Sequence, residues 1–404
     1  MTTAGQTRST PQGQSWLSFQ PPGWWRRRER LLQATGLAAA LLGTQSLAAS
    51  SPQAADVRLL LPSEGLLAGL GDGLRRGYGL AMEQSRACGL RPPSLQLGWL
   101  PPGADPGPAL ASMARSPLLV APPAAPLATY GQLAEQQRLT VLLPLQRGSS
   151  LERLPELPGS DRLWPLVPGR SLEADRLARG LLDDRRSRVL AVHDGSAEAQ
   201  SLADRFGSSF RNGSGQLLGP TQEPMGLDAG SAAALEQLAA DVAWYSPQAL
   251  VVFTRPGSAL ARAVQQRPWP AGLVIAWPFP AGPALANAQL GVDPLSRGEG
   301  WPAFERQFQQ RWGYRPGAVE SAGYDTGQMA ALASVRSAGK AGWNLNWFNA
   351  KAEPLPLCSA LKLRAQGAAV RPRGAGSHLD LSPGQAPTAD LRLSQRPALP
   401  SSQP

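Results

Sequence analysis

From Asp56 onward the hydrophobic positions switch between a strand period and a helix period. Val57-Arg58-Leu59-Leu60-Leu61 is a short β-rich run ended by Pro62. Leu74, Tyr78, Ala81, Met82 and Ser85 then recur at helical spacing, after Asp72 as a candidate N-cap. Strands are predicted over 95–100, 118–121 and 140–143, with a helix over 127–137 between the last two. A second series begins near Leu163. Ser171 can cap a helix whose face is Ala174, Leu177, Ala178, Leu181 and Leu182, and 188–193 reads as a strand. Ala199, Leu202, Ala203, Phe206 and Phe210 mark the next helix, and Asn212-Gly213 a turn into a short strand at 216–218. Leu235, Leu238, Ala239 and Val242 mark another helix, and 249–253 another strand. A short helix capped by Ser258 and a strand over 272–277 follow. Strands joined by such helices build right-handed βαβ units and parallel sheets. Two series in succession make an α/β protein of two doubly wound parallel-sheet lobes. In such sheets ligands bind beyond the carboxyl ends of the strands, and with two lobes facing each other those loops line the cleft.

The first 49 residues read as a leader rather than as part of this fold. Arg26-Arg27-Arg28-Glu29-Arg30 precedes an apolar stretch from Leu31 to Leu42, and Ser46-Leu47-Ala48 offers a small-residue cleavage site. That is the three-part layout of a secretory signal peptide. The apolar stretch is short for a membrane span, although an uncleaved anchor stays open as the alternative. The adjacent arginines also invite a twin-arginine reading, weakened by Glu29 and Arg30 standing where a hydrophobic residue is expected. No cysteine stands at the cleavage region, which disfavours a lipid anchor. The expected location is periplasmic.

Charge changes the picture by where it lies. The chain of 404 residues has a net charge of +10. Arg8, Arg26, Arg27, Arg28 and Arg30 against Glu29 give the first 30 residues +4, and residues 351–404 carry another +4, leaving 31–350 at +2. A near-neutral body with basic ends does not make the phosphate-tracking groove of a nucleic-acid binder. The two cysteines, Cys88 and Cys358, and two histidines, His193 and His378, have no metal-ligand spacing. No cofactor is expected. Gly69-Leu70-Gly71-Asp72-Gly73 lacks both the dinucleotide register and a Walker Lys-Ser/Thr. No Ser/His/Asp or Cys/His arrangement is spaced for nucleophilic catalysis, so an enzyme is not expected.

Four stretches together resemble one family. They are VRLLLPSEGLLAGLGDGLRRGYGLAM (57–82), the region 163–206 with VPGRSLEADRLARGLL and RVLAVHDGSAEAQSLADRF, SPQALVVF (246–253), and FERQFQQRWGYRPGAVESAGYDTGQMAALASVRSA (304–338). Over 56–340 the chain is similar to the type I periplasmic binding proteins of the leucine/isoleucine/valine-binding branch, the substrate-binding components of ABC transporters. The resemblance implies two lobes joined by three crossings. Lobe one would be 56–166 plus 278–341, lobe two 167–277 plus 342–372, and 373–404 a disordered tail. It implies trapping of a small solute by hinge closure and presentation to an ABC permease in the inner membrane, with no nucleic-acid partner and a monomeric state. In that division Gly323-Tyr324-Asp325 opens a late helix. Cys88 falls in lobe one and Cys358 in lobe two, so a bridge between them would tie the lobes, and the balance falls against one.

Candidate ligand residues stand at the carboxyl ends of the strands. Ser63 and Glu64 follow the first strand, facing the cleft or forming an ordinary solvated loop. Asp194 and Glu198 flank the strand ending at His193, where Asp194 also suits an N-cap, and Thr254 and Arg255 follow the strand ending at Phe253. Arg255 would hold an anion, or is simply a surface arginine. The family's Ser/Thr motif after the third strand is here Val120-Ala121-Pro122-Pro123-Ala124-Ala125-Pro126-Leu127-Ala128-Thr129, with Thr129 the one hydroxyl. Ala and Pro side chains offer no donors to a buried carboxylate. That departure supports the rival reading, a binding-protein fold turned into a protein–protein scaffold of the cell envelope. Trp277 and the aromatic run 343–349 are expected to pack near the hinge, the run alternatively docking a partner.

Overall fold

The computed structural model describes residues 55–399, apart from 124, 229, 230, 284 and 338. The leader expected over 1–49 and the last residues of the tail lie outside them. The first sheet is built by β1 (Val57–Pro62), β2 (Leu95–Leu100), β3 (Leu118–Val120), β4 (Thr140–Leu143) and β5 (Leu163–Pro165) in the order β2-β1-β3-β4-β5, all parallel. Its central strands read as near-continuous apolar runs because both faces are covered. On one face Val57, Leu59 and Leu61 pack under α1 (Gly65–Ala87), and on the other Leu60, Leu119 and Val141 pack under α2 (Pro106–Ala111) and α3 (Leu127–Gln137).

The chain crosses from Leu166 into α4 (Ser171–Asp183) and the second sheet. There β6 (Arg188–His193), α5 (Ala197–Asn212), β7 (Gln216–Leu218), the short β8 (Met225–Gly226), α6 (Ala232–Tyr245), β9 (Ala249–Phe253), α7 (Ala259–Gln266), β10 (Val274–Trp277) and β11 (Gln289–Val292) follow. The order is β16-β11-β10-β9-β6-β7, with β8 also on β6, where β16 (Leu393–Arg396) adds the single antiparallel edge. Leu177, Ala203, Phe206 and Phe210 cover one face, and Leu238, Val242, Leu260 and Val264 the other. Ser196, Ser231 and Ser258 each cap their helix by accepting a backbone N–H, as serine at this position is suited to do.

After β11 the chain returns to the first sheet as α8 (Trp301–Trp312) and α9 (Ala318–Ser334). It continues through β12 (Arg336–Ser337), β13 (Lys340–Ala341), β14 (Pro354–Leu355), α10 (Leu357–Ala365) and β15 (Arg371–Pro372), and crosses a last time to reach β16. There are thus three crossings, but two lie elsewhere than the family resemblance implies. Residues 278–292 belong to the second sheet, because β11 pairs with β10. Residues 342–372 belong with the first, because Leu345, Trp347, Leu357, Leu361 and Val370 join the core of Val57 and Leu59. The segment 373–399, expected to be disordered, is ordered: Leu379 and Leu381 pack in the first core, Leu391 in the second, and β16 pairs with β11. Pattern reading passes over this segment because its apolar positions are few and separated by Pro and Gly. They gain partners only from distant strands.

Two helix starts also differ. α1 begins at Gly65, not after Asp72, and its glycines serve a helix–helix contact. A Cβ at Gly77 would overlap the Glu320 carbonyl and the Tyr324 amide, and one at Gly323 the Leu74 carbonyl. The glycine run 69–73 lies inside α1, with Gly73 against Val319 and Glu320 of α9, and forms no phosphate loop. Tyr324 and Asp325 lie in the middle of α9, where both are buried. Cys88, at the end of α1, is bridged to Cys358 on α10. Both stand on the first sheet's side, so the bridge is present and spans no lobe boundary, contrary to the expectation that it would tie the lobes.

Candidate functional site

Each sheet has one place where neighbouring strands send their connections in opposite directions. In the first it lies between β1 and β3, so the loops 63–64 and 121–126 flank it. In the second it lies between β6 and β9, flanked by 194–196 and 254–258. Such switch points open a crevice at the carboxyl ends of the strands.

The second-sheet side is tightly organised. Asp194 accepts the Ser196 amide at 3.0 Å and hydroxyl at 2.6 Å, and the Thr254 hydroxyl at 2.6 Å. Thr254 in turn lies 2.7 Å from the hydroxyl of Ser258, the cap of α7. One carboxylate thus joins the loops after β6 and β9. Desolvation pushes its pKa up, but the hydrogen bonds from Ser196 and Thr254 and the charge of Arg255 outweigh it and hold the carboxyl below its usual range. Thr254 is buried and Arg255 exposed. Asp194 is not the N-cap of α5; Ser196 is.

The first-sheet side is more open. Ser63 and Glu64 are exposed after β1, and Leu66 at the start of α1 is 95% exposed. Ala121, Pro122, Pro123 and Ala125 are buried, and the carbonyl of Pro122 accepts a hydrogen bond from the Gln146 amide. Thr129 is half-buried on the first turn of α3. Of the seven candidates, then, the structure brings Asp194 and Thr254 into contact and sets Arg255 close enough to act on Asp194. Ser63, Glu64 and Thr129 stand at the ends of first-sheet elements.

Glu198 sits apart from that cluster, in a cavity of about 260 Å³ where the loop after β4 meets α5. The residues that build this junction were not legible in sequence. Glu173, 2% exposed in the first turn of α4, accepts from Arg147 at 2.9 Å and from Arg170 at 3.1 Å, and Arg170 reaches on to Glu198 at 3.3 Å. Arg147 also donates to the carbonyls of Pro168 and Pro294, in the first and second crossings. Across the same junction the Ser201 hydroxyl meets Glu152 at 3.1 Å. Near the third crossing, the Ser377 hydroxyl donates to the Leu166 carbonyl at 2.7 Å. An acidic residue in a helix's first turn is an ordinary signal. What makes Glu173 special is that two crossings converge on its partner, and only the tertiary fold decides that.

Among the described residues no group of three or more His, Cys, Asp or Glu could hold a metal ion, and no helix is long and apolar enough to cross a membrane. Two largely parallel sheets, three crossings and one switch point in each sheet define the architecture. The chain has the type I periplasmic-binding-protein fold. A branched-chain amino-acid ABC transporter periplasmic ligand-binding protein from Burkholderia xenovorans aligns over 87% of this chain and 92% of its own, with a TM-score of 0.57 and 13% identity. An ABC transporter substrate-binding protein from Desulfitobacterium hafniense, solved with leucine, aligns over 84% and 97% with a TM-score of 0.54 and 14% identity. A solute-binding protein from R. palustris, solved with benzoate, aligns over 84% and 92% with a TM-score of 0.52 and 18% identity. At these identities the likeness to the type I periplasmic-binding-protein structures is one of fold. No family model matches the sequence. No curated protein matches it either.

Proposed function

We propose that this chain is the extracytoplasmic solute-binding component of an ABC importer, trapping a small amino acid or amide-like solute by closure of its two lobes and delivering it to an inner-membrane permease. It would act as a periplasmic monomer, by binding and not by catalysis. The observation that carries this reading is the pair of switch points at the carboxyl ends of two sheets joined by three crossings. In that cleft Ser63, Glu64 and Thr129 would serve from the first lobe, and Asp194, Thr254 and Arg255 from the second. Glu198 would respond to closure through Arg170.

Two of the solved proteins of this fold named above were crystallised with leucine and with benzoate, both carboxylates. An exposed arginine beside an ordered carboxylate suits a zwitterionic or amide-bearing solute, whose ammonium or N–H group Asp194 would accept. A second reading has one observation in its favour. The β3–α3 loop is Ala and Pro, most of it buried, and presents no hydroxyl to a solute. A cleft so furnished would suit a scaffold for another envelope protein.

A thermal-shift panel of amino acids, amides, small peptides and organic acids separates the two. A solute at 100 times its Kd stabilises the native state by about 2.7 kcal/mol, several degrees in Tm. A hit lost in Arg255→Ala and Asp194→Asn supports the importer reading. A flat response across every class sinks it in favour of the scaffold.

A further inference from the structure

A second cavity, of about 960 Å³, opens at the amino-terminal edge of the first sheet, the end opposite the loops that bear Ser63 and Thr129. Arg58, the second residue of β1, lines it while being only 2% exposed. Strand alternation sends Val57, Leu59 and Leu61 into the core under α1 and leaves Arg58 with Leu60 on the α2/α3 face. The Arg58 Nε and Nη2 are buried with no hydrogen-bond partner. Desolvation lowers its pKa, and no neighbouring carboxylate offsets the shift. A buried guanidinium without a counter-charge is costly and is rarely retained without a partner. The cavity supplies the surroundings of one. Arg115 lines it and is exposed, the lining contains no Asp or Glu, and Leu110, Met113 and Leu139 form an apolar wall.

We propose that this cavity binds a small organic carboxylate, seated on the Arg58 fork with Arg115 at the mouth and its apolar body against Leu110, Met113 and Leu139. A guanidinium edge matches the two oxygens of a carboxylate, and since the unpartnered Nε and Nη2 are enclosed, the Arg58 side chain would turn toward the cavity to present them. The flat apolar wall then favours a ligand with a hydrocarbon tail over a bare anion. The site lies at the far end of the sheet from the cleft, so occupancy of one does not require the other.

Isothermal titration of the full chain with acetate and with hexanoate tests this. Each buried methylene is worth about a factor of four in affinity, so partial burial of the hexanoate tail should give saturable binding at least about tenfold tighter than acetate. Arg58→Met keeps an unbranched stem and removes the guanidinium; it should weaken hexanoate by about ten- to a hundredfold, the range of a charge-assisted bond. Arg115→Ala should weaken it less, and Arg255→Ala, in the cleft, not at all. Should Arg58→Met fail to fold, Ala111→Trp at the exposed rim blocks the cavity with the guanidinium intact and should abolish binding. Hexanoate binding no better than acetate, absent at millimolar concentration, or unchanged in both Arg58→Met and Ala111→Trp overturns the assignment. Loss of hexanoate in Arg255→Ala alone would place the ligand in the cleft and overturn it equally.

Discussion

Cys88 and Cys358, 270 positions apart in sequence, are bridged with their Cα atoms 5.4 Å apart. The bridge fastens α10 to the end of α1, and through α10 the whole stretch 342–372 to the first sheet. The loop it closes contains the entire second sheet apart from β16. The bridge therefore restricts the unfolded chain strongly while leaving the three crossings free to bend.

Removing the bridge should accordingly lower stability and spare lobe motion. In the chain-entropy picture a loop this long is worth about 5–6 kcal/mol. The double variant Cys88→Ala/Cys358→Ala is expected to lose that much stability in chemical unfolding. Its radius change on adding a cleft ligand, followed by small-angle scattering, should match the wild type. A double variant as stable as the wild type would mean that the bridge does not constrain the unfolded state.

The α1–α9 contact makes a sharper prediction, because two glycines of one helix should respond oppositely. Gly77 faces the α9 backbone, where an added Cβ has no room. Gly77→Ala must push the helices apart or distort them, and should cost about 2–4 kcal/mol, in the upper range for overpacking. Gly69 is exposed on the same helix, and a Cβ added there would meet nothing within 4 Å. Gly69→Ala should stabilise by about 0.5–1 kcal/mol through helix propensity alone. Denaturation midpoints of both variants check this, and equal shifts of one sign would refute the contact.

Among the described residues Asp325 is the carboxyl with the clearest upward shift in pKa. It is fully buried in α9 and holds the approach to the third crossing by accepting the Ala375 amide at 2.6 Å and the Gly376 amide at 2.8 Å. Burial raises its pKa to about 7, only partly opposed by those N–H donors and by Gln328. A carboxyl whose folded pKa lies above its unfolded value of about 3.9 stabilises the fold when protonated. That contribution is full below the unfolded value and is lost as pH rises through about 7. Wild type should therefore lose stability between pH 5 and pH 8, and Asp325→Asn, which cannot ionise, should show a flatter profile whatever its absolute stability. Urea unfolding at the two pH values measures the difference. Parallel slopes for the two proteins would assign the pH dependence to other groups.

The sequence alone determined most of the alternation of strand and helix from 57 to 277, because those elements carry their own period, while the short α2 and β8 carry none. Val57–Pro62, Arg188–His193 and Ala249–Phe253 are apolar along most of their length, as strands covered on both faces must be. Ser258 is likewise a local cap that needs only its own helix, whereas Ser196 takes the place that the sequence offers to Asp194. The two-lobed α/β class followed from these runs.

What only the tertiary structure decided are the relations between distant segments. β11 and β16 are short and partly polar, and become strands because an open sheet edge offers them hydrogen bonds. The side of the hinge to which 342–372 belongs depends on apolar partners distant in sequence, such as Val57, Leu59 and Trp164. The same is true of the polar groups. Asp194 and Thr254 are 60 residues apart and meet because β6 and β9 are neighbours in the sheet. Glu173 is buried because Arg147 reaches it from the other sheet's loop. Arg58 stands in sequence within the β-rich run 57–61, and is enclosed only once α2 and α3 close over it. A residue's period is written in its neighbours along the chain, whereas its charge environment is set by whatever the fold brings beside it.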